Sequence, residues 1–276
     1  MTTTQQDRAA RFHALHHDGV LVLPNAWDVA SANLVARAGA KAVATTSAGV
    51  AWSLGAPDGN RLDRSLAVDL VARTAAAVEL PVTADIESGF ADDPAGVAET
   101  IRMVIEAGAV GVNLEDGAFA GSAPLQDIDT YTARLAAARS AADGTGVRLF
   151  INARIDVYLR GVGEPAGRLP ATLERAAAYV AAGADGVFVP GVVDPGTIAT
   201  LAKEVGAPLN VLVGPGAPAV SELADLGVAR ASVGSGLAQV AYGAAERAAA
   251  EVLTEGTYTA LADGLSFPDL NSLAGR

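Results

Sequence analysis

Side chains able to do chemistry gather at four places in this sequence. Asp85 and Glu87 stand two apart in Ala84-Asp85-Ile86-Glu87-Ser88-Gly89-Phe90. Glu115 and Asp116 close Asn113-Leu114-Glu115-Asp116-Gly117. Arg154 and Asp156 stand two apart in Asn152-Ala153-Arg154-Ile155-Asp156, and Asp58 follows Gly55-Ala56-Pro57. Residues two apart on an extended strand share a face, so Asp85 and Glu87 project together if the strand reaches that far. Carboxylates held side by side repel and raise one another's pKa. A hard divalent cation relieves that repulsion. Mg2+ takes one or two carboxylates directly, keeps several waters, and leaves further acids to hold those waters. An arginine beside such a site would clamp a substrate carboxylate through its planar fork.

Some of these acids have a structural use as well. Asp92 and Asp93, before Pro94, read as a helix-capping pair, and Asp116 and Asp156 are equally readable as cap or turn residues. His13, His16 and His17 precede the first strand and read as a solvated terminal face.

The elements that would position these residues follow from the hydrophobic pattern. Runs rich in Val, Ile and Leu predict eight strands, at 20–28, 42–47, 81–87, 111–116, 148–156, 186–191, 208–214 and 230–236. Alanine-rich segments between them predict helices such as 64–78, 94–107, 130–142, 170–182, 195–205 and 217–226. Pro94, Pro170 and Pro195 sit near helix starts, where a missing N–H costs little. Gly108, Gly183 and Gly227 each fall between a helix and a strand, the place for a left-handed helix exit. The strand runs are apolar throughout rather than alternating, as in parallel strands covered on both faces. Eight such units favour an α/β fold, a single (β/α)8 TIM barrel over about 20–236, within one domain of residues 1–276. The C-terminal extension, about 237–276, is helical at 239–254 and 257–263 and less regular after 266. The Gly/Pro-rich stretch 161–169 reads as a surface loop. Leu23-Pro24-Asn25-Ala26-Trp27 after the first strand is no phosphate loop, which argues against a dinucleotide-binding sheet. Active sites of such barrels lie at the C-terminal ends of the strands, where Asp85, Glu87, Glu115 and Arg154 fall.

Composition narrows the function classes. The formal net charge of −12 over 276 residues opposes nucleic-acid binding, which needs a basic face. With 51% hydrophobic and 18% charged residues the chain is built to fold. Its apolar stretches are interrupted well before the ~20 residues a membrane span requires, and the polar N-terminus shows no secretory pattern. Cysteine is absent, which excludes thiolate ligands, disulfides and cysteine nucleophiles, and suits a cytoplasmic protein.

Five ordered segments, between about residues 23 and 236, together resemble the isocitrate lyase/phosphoenolpyruvate mutase superfamily. Thr45-Thr46-Ser47-Ala48-Gly49-Val50-Ala51 and the following Ser53-Leu54-Gly55-Ala56-Pro57-Asp58 resemble its substrate-carboxylate loop and subsequent Asp. Asp85-Ile86-Glu87-Ser88-Gly89-Phe90 resembles its metal motif, with Glu87 where Asp is usual. Asn113-Leu114-Glu115-Asp116 resembles the next metal-proximal segment, and Ile151-Asn152-Ala153-Arg154-Ile155-Asp156 the segment whose Arg binds substrate. The resemblance implies Mg2+ (or Mn2+) on Asp85, with Glu87 and Glu115 holding its waters and Asp58 near the metal and the reacting carbon. It implies substrate carboxylate binding by the backbone N–H groups of Thr46, Ser47 and Ala48 and by Arg154, with Asn210 touching the substrate. It also implies a homotetramer in which the C-terminal helices pack on or swap with a neighbour.

Departures from the pattern narrow the activity. The lyases carry a Lys/Cys/His loop after the fourth strand; Gly117-Ala118-Phe119-Ala120-Gly121-Ser122-Ala123-Pro124-Leu125 has none of these residues. The gating loop of the phosphonate-forming mutases is missing too. A Glu of the lyases is replaced in Pro190-Gly191. The expected activity is cleavage of a C–C or C–P bond in a small 2-oxo or 2-hydroxy carboxylate through an enolate-like intermediate. The alternatives are mutase-like phosphonate chemistry, a carboxylate-binding pseudoenzyme, and a phosphosugar enzyme using the Gly234-Ser235-Gly236 turn.

Overall fold

The computed structural model describes residues 4–118 and 123–273, so Ser122, the polar side chain of the 117–125 loop that reads as a turn residue or a catalytic one, lies outside the described residues. Parallel strands run β1 (Leu21–Leu23), β2 (Asn25–Ala26), β3 (Val43–Thr45), β4 (Val82–Asp85), β5 (Gly111–Glu115), β6 (Phe150–Arg154), β7 (Gly186–Val189), β8 (Leu209–Leu212) and β9 (Arg230–Ser232). They hydrogen-bond in the order β1-β9-β8-β7-β6-β5-β4-β3-β2. Since β1 and β2 are separated only by Pro24, the two ends of that order meet, and the sheet forms the TIM-type barrel. The ninth strand is the expected first strand cut in two. Pro24 has no N–H and a fixed φ, so it breaks the ladder. The halves pair with opposite neighbours, β1 with β9 and β2 with β3. Asn25 bridges the seam: its Nδ2 donates to Thr45 O at 2.9 Å and its Oδ1 accepts from Gly234 N–H at 2.8 Å.

Helices fill the crossovers, and aspartates start them. Asp28, Asp63, Asp93, Asp127 and Asp194 each accept a first-turn N–H. Of the expected capping pair only Asp93 caps. Asp116 and Asp156 cap nothing and are fully buried. One helix begins at Pro165 rather than Pro170, which lies inside it, so part of the expected 161–169 loop is helical.

The terminal histidines correct the sequence reading. A helix, Gln5–Leu15, opens with a Thr4/Asp7 capping box and covers the N-terminal end of the barrel. Phe12 packs where Gly111 lacks a Cβ; a Cβ there would lie 2.6 Å from its ring. His13 and His16 are therefore buried, and the His16 ring stacks on Phe150 with centroids 3.9 Å apart. His17 alone is exposed.

The C-terminal segment forms helices Gly236–Thr254 and Phe267–Leu273 with a 3-10 turn, Thr259–Asp263, between them. It returns to the barrel at Asn33, whose Nδ2 donates to Leu273 O at 3.1 Å. No described helix is long and apolar enough to cross a membrane.

Candidate active site

The site forms at the C-terminal strand ends because β4, β5 and β6 stop on Asp85, Glu115 and Arg154. In register these strands place Glu115 beside Arg154, and Arg154 beside Phe188. Two adjoining cavities open above them. One, of about 200 Å3, is lined by Asn113, Ser232, Ser47, Asp58, Asp85 and Arg154 among others. The other, of about 190 Å3, is lined by Asp58, Glu87, Glu115, Arg154, Asp156 and Arg160 among others.

Asp85 is held by one oxygen only. Its Oδ2 accepts from Ser47 N–H at 3.2 Å and from Ser47 Oγ at 2.9 Å. Its Oδ1 is buried without a partner. Glu87 does not share an extended face with Asp85, because β4 ends at Asp85 and Glu87 is left-handed, with φ 50°. Asn60, also left-handed at φ 56°, donates its backbone N–H to the Glu87 carboxylate and so brings the Asp58 loop onto it. Non-glycine residues in this region are strained, and such strain gathers at functional sites.

Arg154 is the electrostatic hub. Its Nε and Nη2 donate to the two oxygens of Asp156 at 2.6 and 3.0 Å, and its Nη1 pairs with Glu115 at 2.6 Å. A guanidinium has five N–H donors, so two are left for another acceptor. Asp156 is itself fixed: its Oδ2 accepts from Arg160 at 3.1 Å, and its N–H donates to Asp116 at 2.9 Å. Asp116 takes further bonds from Arg175 at 3.0 Å and Tyr179 at 2.8 Å. This chain of bonds explains why Asp116 and Asp156 are buried acids rather than caps. Sequence reasoning missed Arg160, Arg175 and Tyr179; only the four-residue steps from Asp156 to Arg160 and from Arg175 to Tyr179 hinted at such pairs.

The balance of charge favours a cation. Five carboxylates, Asp58, Asp85, Glu87, Glu115 and Asp156, surround cavities that carry two arginines. Burial raises the Asp58 carboxyl, and Asp85 adds to the rise. Burial pushes Glu87 up to about 7 against the Asn60 N–H, with Asp58 and Asp85 adding to it. Burial also drives Glu115 well above the usual range, although Arg154 opposes it. For Arg154 burial works against the charge, but Glu115 and Asp156 outweigh it and hold the guanidinium protonated. Among the described residues no three acid or histidine side chains form a ready-made ligand cage. The donors that are present would suit only an ion that takes few protein ligands and many waters. The orphaned Asp85 Oδ1 is the oxygen left for it.

Glu87 makes a testable contribution to stability. Its folded pKa of about 7 lies above its ordinary 4.5. Stability from this group is thus complete below about pH 4.5 and lost as pH rises through 7. Glu87→Gln is expected to raise the melting temperature of metal-free protein by several degrees at pH 8 and to leave it nearly unchanged at pH 4.5. Thermal melts across that range check it; equal shifts at both ends would refute the assignment.

Other expected residues fall differently. Thr46 N–H donates to Ala26 O at 3.0 Å and Ser47 N–H to Asp85, so of the three backbone donors only Ala48 has no acceptor among the described residues. Asn210 is buried with both amide atoms unpartnered and is not among the residues lining the cavities; Leu212 takes the wall position. Gly234 N–H is used by Asn25, which weakens the phosphate-turn alternative.

A family model described as "Phosphoenolpyruvate phosphomutase" matches residues 12–253. The chain belongs to this family. The phosphoenolpyruvate phosphomutase assignment agrees with the superfamily that the motifs resemble. A Burkholderia cenocepacia structure provisionally described as a lyase/mutase is 42% identical, with a TM-score of 0.91 over 99% of this chain and 97% of its own. Oxaloacetate decarboxylase 1 of Pseudomonas fluorescens is 31% identical over 73% of this chain and 68% of its own. At the level of fold alone, a phosphonopyruvate hydrolase in complex with oxalate and Mg2+ superposes with a TM-score of 0.85 at 24% identity, covering 97% of this chain and 95% of its own. Like its relatives, this member of the superfamily is a lyase-type enzyme.

Proposed function

We propose that this protein is a Mg2+-dependent lyase, with Mn2+ able to substitute, that cleaves a C–C bond of a small 2-oxo or 2-hydroxy carboxylate. The observation that carries the reading is the convergence of Asp58, Asp85, Glu87, Glu115 and Arg154 on two adjoining cavities of about 200 and 190 Å3. That space suits a small acid with a few waters. Asp85 Oδ1 would hold the ion directly, and Glu87 and Glu115 would hold its waters. When bound, the ion supplies positive charge to the negative oxygen that develops as the substrate takes on enolate character.

The remaining work falls to the chain. The two free N–H donors of Arg154, with Ala48 N–H, orient the substrate carboxylate. Asp58 has no ion pair among the described residues, and its raised pKa suits a group that moves a proton near the reacting carbon. This gives the site a proton carrier without the Cys loop of the lyases. Where those lyases carry an acid, this chain has Gly191, at φ 87°. A Cβ there would meet the Leu159 backbone at 2.8 Å, so Leu159 occupies the space. Leu159 walls both cavities and favours compact substrates.

A screen of small 2-oxo and 2-hydroxy acids with and without Mg2+ tests this reading. It should find Mg2+-dependent cleavage that falls about 100-fold or more in Asp58→Asn. The resemblance to phosphonopyruvate chemistry keeps C–P substrates in the same screen. Tight oxalate binding with no turnover of any substrate would instead support the pseudoenzyme.

The reading includes a cytoplasmic homo-oligomer, a tetramer on the family pattern. The C-terminal segment exposes Val240, Leu253, Tyr258, Leu261 and Phe267, with Leu253 84% exposed. Apolar surface of this extent marks an interface. Sedimentation of the full chain as a monomer would overturn this part.

A further inference from the structure

Arg230 on β9 is fully buried in the barrel interior. Buried arginines are ordinarily matched by a carboxylate. Among the described residues this one meets only neutral partners. Its Nε donates to Ser232 Oγ at 3.1 Å, its Nη2 donates across the barrel to Asn113 Oδ1 at 3.3 Å, and its Nη1 has no partner. Asn113 is braced in turn by Asn152 Nδ2 at 2.9 Å. Asn210, in register with Arg230 on β8, leaves both amide atoms unpartnered and neutralises nothing. Barrel interiors of this class are usually filled by Val, Ile and Leu, which would be less costly to bury here.

The position of the charge gives it a use. Asn113 and Ser232, the two residues that Arg230 grips, line the cavity that also carries Asp58, Asp85 and Arg154. The guanidinium therefore stands directly behind that cavity lining, in a medium where fields are weakly screened. Asp85 is the acid whose field reaches it. A fixed positive charge behind the pocket attracts an anion in it and repels a cation in it.

We propose that Arg230 is a positioning residue of this site: through Asn113 and Ser232 it sets a positive field behind the substrate cavity, which strengthens binding of the substrate anion and weakens binding of the metal. The inference rests on the function proposed above. A residue that merely fills space would, when replaced, loosen the site and weaken both ligands together. A field has opposite signs for the two.

Calorimetric titration of wild type, Arg230→Met and Arg230→Lys with MgCl2, then with oxalate at saturating Mg2+, separates the two. Arg230→Met should bind Mg2+ several-fold more tightly and oxalate about tenfold more weakly. It should also melt at a higher temperature, since an unmatched buried charge has gone. Arg230→Lys at pH 6, which keeps a cation, should return oxalate affinity toward wild type; where the Met variant does not fold, Arg230→Gln, uncharged and still able to hydrogen-bond, takes its place with the same two expected shifts. Unchanged affinities, or parallel loss of both ligands, would overturn the role of Arg230 alone. Wild-type protein that binds neither probe would contradict the functional reading and this inference with it.

Discussion

Asp85→Ala is expected to lower kcat/KM about 1000-fold or more while leaving the protein folded and close to wild type in stability. The loss follows from geometry. Ser47 holds Asp85 Oδ2 through two bonds, and among the described residues Oδ1 is the one buried carboxylate oxygen at the site with no partner. Removing the proposed direct ligand should abolish Mg2+ binding, and with it the electrostatic stabilisation of the developing oxyanion, which is commonly worth about 100–1000-fold per contact. The small change in stability follows from opposing charge effects. Asp85 raises the carboxyls of Asp58 and Glu87, which its removal relaxes, but it also supports the Arg154 and Arg230 guanidinium charges, which its removal leaves with less counter-charge. Steady-state kinetics with a melt in the absence of metal would check the pair. A variant that loses stability together with activity would show Asp85 to be structural.

Arg154→Lys should damage both fold and function. The side chain holds Asp156 by a two-point fork and Glu115 at 2.6 Å, and both acids are buried. A lysine has a compact ammonium that cannot span both carboxylates. Breaking a buried pair typically costs about 3–5 kcal/mol. Lys keeps the charge, so we expect the lower end, a fall in Tm of roughly 6–12 °C. Loss of substrate orientation should reduce kcat/KM by a further 100-fold or so. Because Glu115 loses part of its counter-charge, the stability deficit should grow as pH rises and that acid is forced to ionise. Melts at pH 5 and pH 8 measure this. A variant with wild-type kinetics would remove Arg154 from the site.

The barrel and its acid positions were legible in the sequence because both follow local rules. Apolar runs mark buried parallel strands, and the strand-end rule singles out Asp85, Glu115 and Arg154. Three things were not legible. Pro24 splits the first strand, since pairing on opposite sides depends on barrel closure, which no local pattern records. His13 and His16 are buried because a helix folds back under the barrel onto Phe150, a contact between residues far apart in sequence. The Thr46 and Ser47 N–H groups donate to Ala26 O and the Asp85 carboxylate, bonds between strand ends that no local pattern records. Arg230 went unnoticed for a related reason. Its partners Asn113 and Ser232 come from separate strands and meet it only inside the closed barrel.

The most direct measurement is calorimetric titration of the protein with oxalate, with and without Mg2+. The account predicts one site per chain, filled tightly only when Mg2+ is present and lost in Asp85→Ala. Oxalate binding of equal strength in EDTA, or binding untouched by Asp85→Ala, would contradict it.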